Sequence, residues 1–258
     1  MTPIGIATDF TNLPEAHALG YDYVEVSLSE LAELSDKYFE EFAAYCEGSG
    51  IRVSAVNHML PDDLPVVGEG VRAPELHDYL KLAFGRAQRL NVRVATMDAA
   101  ISRGVPANCD YPMAWRQLGN FLRLCQGHAR DSGLTIAVEP IRKTECNLLN
   151  LVSEATLLAG LLQLGNVGVA ANSGHMAMAA EPVSVLRQAG ASLCHVHVEN
   201  TLSRCMPRES DGEDYRKLML TLRSIGYAGG VSVTGRATGD FASSARAALL
   251  CLRQAQHS

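Results

Sequence analysis

Glu139 closes the apolar run Leu134–Val138 and is followed at once by Pro140. Packing does not account for a carboxylate there, because a lone buried charge is costly and needs a cation or hydrogen-bond donors. Two readings are open: an active-site acid or base, or a structural Glu paired with Arg or Lys from another strand. His195 and His197 alternate in Cys-His-Val-His-Val, so both point to one side of a strand. They read as two lining residues, as one ligand above one packed histidine, or as two core histidines. His197 is nearer the strand end and is the better ligand; His195 reads better as a satisfied core residue. His175 lies three residues past Asn172, a place for substrate binding or for a surface histidine. Glu145 either reaches back over Glu139 or is a solvated loop acid. Arg103, Arg204 and Arg208 sit in polar loops. A guanidinium there binds a carboxylate, a phosphate or sugar hydroxyls, or stays solvated. His58 is a further candidate ligand or donor. Glu25 is expected to line the interior beside an Arg or Lys. These residue types suit acid–base chemistry on a carbonyl compound.

Something must bring them together. Eight β-branched runs alternate with amphipathic stretches: PIGIAT, YDYVEVSL, IRVSAVNH, VRVATMD, LTIAVEP, VGVAAN, SLCHVHV and GGVSVT. Most are nearly all apolar, as expected of strands buried on both faces. Helices are expected between them. Ser27 or Ser29 opens one that runs to Gly48–Gly50, and Pro74 starts the next. Another ends at Gly133, Asn150 caps the one over 151–165, and the last, over 241–256, packs beside the first. Eight strand–helix units without a linker predict a single α/β domain over 1–258, a (β/α)8 TIM barrel. The runner-up, a doubly wound open sheet, lacks a GxGxxG after its first strand. The longer loops, 59–73, 100–110 and 199–213, all follow strands, on the face where barrels place their chemistry.

The 258 residues are 47% hydrophobic and 19% charged, with net charge −6. That suits a globular domain with a large core and disfavours nucleic acid and anionic membrane as partners. No apolar run approaches the roughly 20 residues of a membrane span. The seven cysteines form no CxxC, and the first ten residues do not read as a signal peptide. A reduced, cytoplasmic protein with free thiols is expected.

Six strings, in order and spacing, carry a resemblance: GYDYVEV, SRGVP, EPIRKTECNLLN, ANSGHM, HVHVEN and LRSIGYAGGVSV. They resemble the sugar-phosphate isomerase/epimerase family of xylose isomerase-like barrels. That group includes ketose 3-epimerases, inosose dehydratases, dehydroshikimate dehydratases and, more distantly, endonuclease-four-type repair enzymes. The resemblance spans most of the chain. It implies a divalent Mn, Mg or Co ion held by Glu, Asp, His and Glu from four strands. Those positions are Glu139, Asn172, His197 and Thr234 here. It implies Glu145 and His175 as substrate contacts and Arg204 as the arginine after strand seven, one residue later than the commonest spacing. It also implies a homodimer.

The departures have consequences. A hard dication is held mainly by carboxylate charge, and this set keeps only Glu139. Divalent binding is therefore expected to be weak or absent unless His58, His195 or Glu199 rebuilds a displaced site. Thr234 also removes the second base that two-base epimerisation needs. The expectation is a divergent sugar (phosphate) isomerase/epimerase-like enzyme working by single-base enolisation or elimination. Glu139, His175 and Arg204 would be catalytic, and Glu145, His58 and Arg103 would bind a sugar, sugar phosphate or keto-acid. The alternatives are a noncatalytic sugar-binding or regulatory barrel and a metal-dependent nucleic-acid enzyme. The acidic charge and missing ligands oppose the last.

Overall fold

The computed structural model describes residues 1–257, the side chain of Asp131 excepted. In chain order the elements are β1 (Ile4–Ala7), α1 (Leu13–Leu19), β2 (Tyr23–Ser27), α2 (Leu28–Glu33), α3 (Asp36–Ser49) and β3 (Val53–Asn57). Then come α4 (Ala73–Arg89), β4 (Val94–Met97), α5 (Tyr111–Ala129), β5 (Thr135–Val138), α6 (Val152–Leu162) and β6 (Val167–Asn172). The chain ends with α7 (Ser173–Met178), α8 (Leu186–Ala189), β7 (Leu193–Val198), α9 (Tyr215–Ser224), β8 (Gly230–Val233) and α10 (Phe241–His257). All strand pairs are parallel, and β8 returns to β1. This is the single-domain (β/α)8 barrel expected from the alternation. The ring closes outside as well: Tyr21 Oη donates to Ala245 O at 2.7 Å, tying the end of α1 to α10.

Two local expectations need correction. The helix expected from Ser27 or Ser29 to Gly50 is two helices. Ser27 Oγ accepts from Glu30 N and caps α2, while Ser35 Oγ accepts from Tyr38 N and starts α3. Two good N-cap serines eight residues apart give two starts. Asn150 does not cap α6. Its Nδ2 donates to Ile141 O and Cys146 O, which binds the loop after β5 to itself. The first N–H groups of α6 are taken instead by Glu181, which accepts from Val152 N and Ser153 N at 2.7 and 3.1 Å.

Aliphatic side chains usually fill a barrel of this kind. Here part of the interior is polar. Tyr23 and Glu25 on β2, His195 and His197 on β7, and Ser232 on β8 are all buried. Tyr23 fits because β1 and β8 carry glycine opposite it. A Cβ on Gly5 would lie 2.2 Å from the ring, and one on Gly230 2.5 Å from the hydroxyl. Among the described residues, no helix is long and apolar enough to cross a membrane, and all seven cysteines are free.

Candidate active site

A cavity of about 850 Å³ opens at the carboxyl ends of the strands. Glu139, His58, Glu145, His175, Arg204, Asn172, His197 and Thr234 all line it. The structure thus gathers these eight at one mouth but leaves out Arg103. That residue is fully buried, and its guanidinium donates to Met97 O and Leu149 O at 2.9 and 3.4 Å. It ties the end of β4 to the loop after β5 and is not on the cavity wall. Arg208 pairs with Asp211 at 3.0 Å, also off the cavity.

Beneath the mouth runs a column of polar contacts. Tyr23 Oη meets Ser232 Oγ at 2.9 Å, and Ser232 Oγ meets His195 Nε2 at 3.2 Å. Glu25 accepts from both histidines, at 2.9 Å from each Nε2. The partners expected for Glu25 were Arg or Lys; the barrel supplies imidazoles instead. His197 Nδ1 then contacts Glu139 Oε2 at 2.5 Å. This is a close ionic contact without an aligned hydrogen bond, since no donor points at that oxygen. Burial opposes the charged form of His197, but Glu139 and Glu25 outweigh it and raise its pKa well above the ordinary value. The ring is an imidazolium held between two carboxylates. Burial likewise pushes Glu139 up, but His197 above all pulls it down to about 2. Glu25 is held well below the carboxylate range in the same way, by His197 and His195 against its burial.

A second chain of contacts crosses the other side of the mouth. Asn172 ends β6, and its Oδ1 caps α7 by accepting from Gly174 N and His175 N at 3.0 and 3.2 Å. Its Nδ2 donates to Glu139 Oε1 at 3.1 Å. The cap sets His175 with Nε2 3.8 Å from Glu139 Oε1 and Nδ1 2.9 Å from Arg142 Nε. Arg142 is buried and also reaches Glu199 Oε1 at 3.0 Å. Glu145 joins Arg142 at 3.2 Å and Arg204 at 2.7 Å. Burial lowers the His175 pKa to about 4 despite Glu139 nearby, with Arg142 adding to the fall. His175 is neutral at neutral pH.

Sequence reading missed Asp98, Arg142 and Arg236. Asp98 follows β4 directly and lines the cavity, with Oδ2 3.9 Å from His58 Nε2. Burial raises its pKa; His58 opposes this and Glu139 adds to it. The strand-end argument that singled out Glu139 applies equally to Asp98. Arg236 follows Gly235 into the cavity wall, and no sequence signal marks it.

Among the described residues, five buried side-chain atoms lack a hydrogen-bond partner. Three of them, Asp98 Oδ1, Glu139 Oε2 and Thr234 Oγ1, belong to residues lining this one cavity. Buried polar atoms are rarely left unpaired, so the three mark the polar part of this cavity wall. A divalent cation fits the four strand-end positions poorly. The Asn172 oxygen already accepts two backbone N–H groups, Thr234 brings no charge, and both nitrogens of His197 face carboxylates. Deeper in the barrel, Glu25, His195 and His197 place three ligand-type atoms within 4.8 Å of one another, a possible His/Glu cation site.

Comparison with known proteins agrees with this architecture. No curated protein sequence matches the chain. A solved structure of 3-keto-D-glucoside 4-epimerase from E. coli superposes with TM-score 0.84 at 18% identity, covering 98% of this chain and 100% of that one. D-psicose 3-epimerase, solved in the presence of D-fructose, gives TM-score 0.81 at 17% identity over 99% and 97% of the two chains. An AP endonuclease of family 2 from Brucella melitensis gives 0.78 at 18% over 95% and 96%. The model of one family, described as a xylose isomerase-like TIM barrel, matches residues 13–255. With the closed parallel barrel and its strand-end site, that match places this chain in the xylose isomerase-like TIM-barrel family.

Proposed function

We propose that the protein is a sugar isomerase/epimerase-like enzyme that moves a proton beside the carbonyl of an uncharged polyhydroxylated substrate, with Glu139 as its single base. The observation that carries this is Glu139 itself: a buried carboxylate at the end of β5, on the wall of a cavity large enough for a sugar. Glu139 Oε2 takes a proton from the carbon next to the carbonyl, and the C–H electron pair moves into an enolate. A carboxylate at about 2 is a weak base, so the step needs help where charge develops. Once Glu139 is protonated, its contact with His197 no longer uses the imidazolium charge. That charge then stabilises the enolate through space, with His175 and Arg204 as the donors to its oxygen. Return of the proton to the former carbonyl carbon, with the neighbouring hydroxyl giving its proton to the enolate oxygen, gives isomerisation; loss of a β-hydroxyl as water, carrying the proton held by Glu139, gives elimination.

Seven carboxylates line the cavity (Asp9, Glu30, Asp62, Asp98, Glu139, Glu145, Glu199) against two arginines, Arg204 and Arg236. Arg204 is already paired with Glu145. This balance favours an uncharged sugar over a sugar phosphate or keto-acid, and disfavours nucleic acid. Mn, Mg or Co would bind the four strand-end positions weakly if at all, because Asn172 and Thr234 bring no charge there. Glu145 and His58 are the proposed substrate contacts.

The test is deuterium incorporation in heavy water, read by NMR. One panel holds uncharged ketoses and keto-polyols; a second holds phosphorylated ketoses and keto-acids. Exchange is expected in the first panel and should fall by roughly 100-fold or more in Glu139→Gln. Saturable sugar binding with no exchange in any compound would establish the noncatalytic binding barrel. That reading is favoured by Thr234 standing where the family's second base is expected. Faster exchange with phosphorylated compounds would refute the charge argument.

A further inference from the structure

Arg142 is the least expected member of the site. It follows Glu139 by three residues, is buried, and forms the centre of a carboxylate–guanidinium–imidazole chain. A guanidinium does not deprotonate in a protein and has no acceptor. Its Nε is therefore always a donor, and His175 Nδ1, 2.9 Å away, must present a lone pair. A proton on Nδ1 would set two N–H groups against each other. In the doubly protonated ring it would also set two positive charges side by side. Only one form of the ring fits: neutral, with its proton on Nε2, the nitrogen on the Glu139 side.

The surroundings hold Arg142 in that role. Its second arm ends on Glu199, itself buried. Glu199 can approach because residue 174 is glycine: a Cβ there would lie 2.6 Å from Glu199 Oε1. Ser173 clasps the same segment, its Oγ 3.2 Å from both the backbone N and O of Glu199. His175 is fixed from its own backbone by the Asn172 cap.

We infer that Arg142 is a positioning residue that locks His175 as the neutral Nε2–H tautomer, so that His175 donates a hydrogen bond to the substrate's carbonyl oxygen, with Glu199 holding Arg142 in place. The donation to substrate rests on the isomerase/epimerase-like reading; the tautomer does not. The two are therefore tested separately.

The first measurement uses wild-type protein labelled with 15N at histidine. Long-range 1H–15N correlation distinguishes a protonated from an unprotonated ring nitrogen, and the His175→Gln spectrum assigns the signal. At neutral pH, His175 should show a protonated Nε2 and an unprotonated Nδ1. A protonated Nδ1, alone or with Nε2, overturns the proposal without any Arg142 variant being made.

The second measurement compares Arg142→Met and Arg142→Lys. Arg142→Met should lose the fixed tautomer and lower kcat for substrate exchange by about 10- to 100-fold, as for loss of an oxyanion donor, with KM changed much less. Arg142→Lys, which keeps a donor of the same charge, should recover part of both. Wild-type tautomer and rate in Arg142→Met would overturn the proposal. If no substrate shows exchange, the functional reading fails while the tautomer result still decides the role of Arg142.

Discussion

Glu25→Gln tests the polar column most directly. The Glu25 carboxylate accepts from His195 Nε2 and His197 Nε2, each at 2.9 Å, with all three side chains nearly inaccessible. Glutamine has almost the same shape but offers one acceptor and one donor. One histidine keeps its bond; the other faces an N–H group, at a cost of about 1–3 kcal/mol for a buried donor left unmatched. The His197 imidazolium also loses one of its two counter-charges. Breaking a buried ion pair by removing one partner costs about 3–5 kcal/mol, and the two figures describe overlapping effects. The expected loss is thus about 3–5 kcal/mol, a large part of a total stability of roughly 5–15 kcal/mol. In a chain of this size that lowers Tm by roughly 6–20 °C.

The assay is urea unfolding at pH 7, followed in parallel by circular dichroism and by the single tryptophan. The sign with pH is fixed. Glu25 is depressed on folding, so its contribution is present above the unfolded carboxylate range and fades as acid reaches the folded value. His197 is raised, so its contribution is full below about 6.5 and is lost only as pH rises through the higher folded value. The gap between wild type and Glu25→Gln should be widest from about pH 5 to 6.5, and should narrow in strong acid and toward alkaline pH. A loss below about 1 kcal/mol at pH 7 with an unchanged m-value would refute the account of a charge-balanced column.

Other outcomes follow from neighbouring residues. Gly174→Ala should cost about 1–3 kcal/mol in thermal unfolding, because the new methyl meets the Glu199 carboxylate at 2.6 Å; a neutral result would mean that Glu199 moves freely. His175 is depressed to about 4, so the unfolded chain binds its proton first as pH falls below about 6.5. Wild type should lose up to about 3 kcal/mol between pH 6.5 and 4 from this residue, and urea unfolding of His175→Gln should show a shallower acid slope. The double variant Asn172→Asp with Thr234→Glu should gain a Tm rise with millimolar Mn that wild type lacks; an equal rise in wild type would show that the native donors suffice.

The barrel was legible because strand and helix periods differ and because strands buried on both faces are apolar. The strand-end rule likewise found Glu139, and alternation found the paired histidines. What the sequence hid was partnership. Nothing local says that Glu25 and His197, separated by most of the chain, share a bond. Arg142 follows a proline in a loop, where burial leaves no pattern. Arg103 reads as a substrate-binding or solvated loop arginine, yet its guanidinium is buried against the carbonyls of Met97 and Leu149. The single long helix expected before Gly50 divided because Ser35 offered a second cap as good as the first.

The backbone at two mouth residues carries a further consequence. His58 and Arg204 adopt left-handed conformations, with φ of 45° and 54°. In that region a side chain costs roughly 1–2 kcal/mol that glycine would not. Their backbones tie neighbouring segments together: His58 O accepts from Ser29 N, and Arg204 O accepts from Arg236 N. Glycine would keep both bonds and relieve both conformations. Selection for heat resistance alone would therefore erase an imidazole and a guanidinium from the rim, leaving a sturdier barrel with a blunter mouth. Libraries screened for folded yield should collect glycine at 58 and 204, and libraries screened for turnover should purge it.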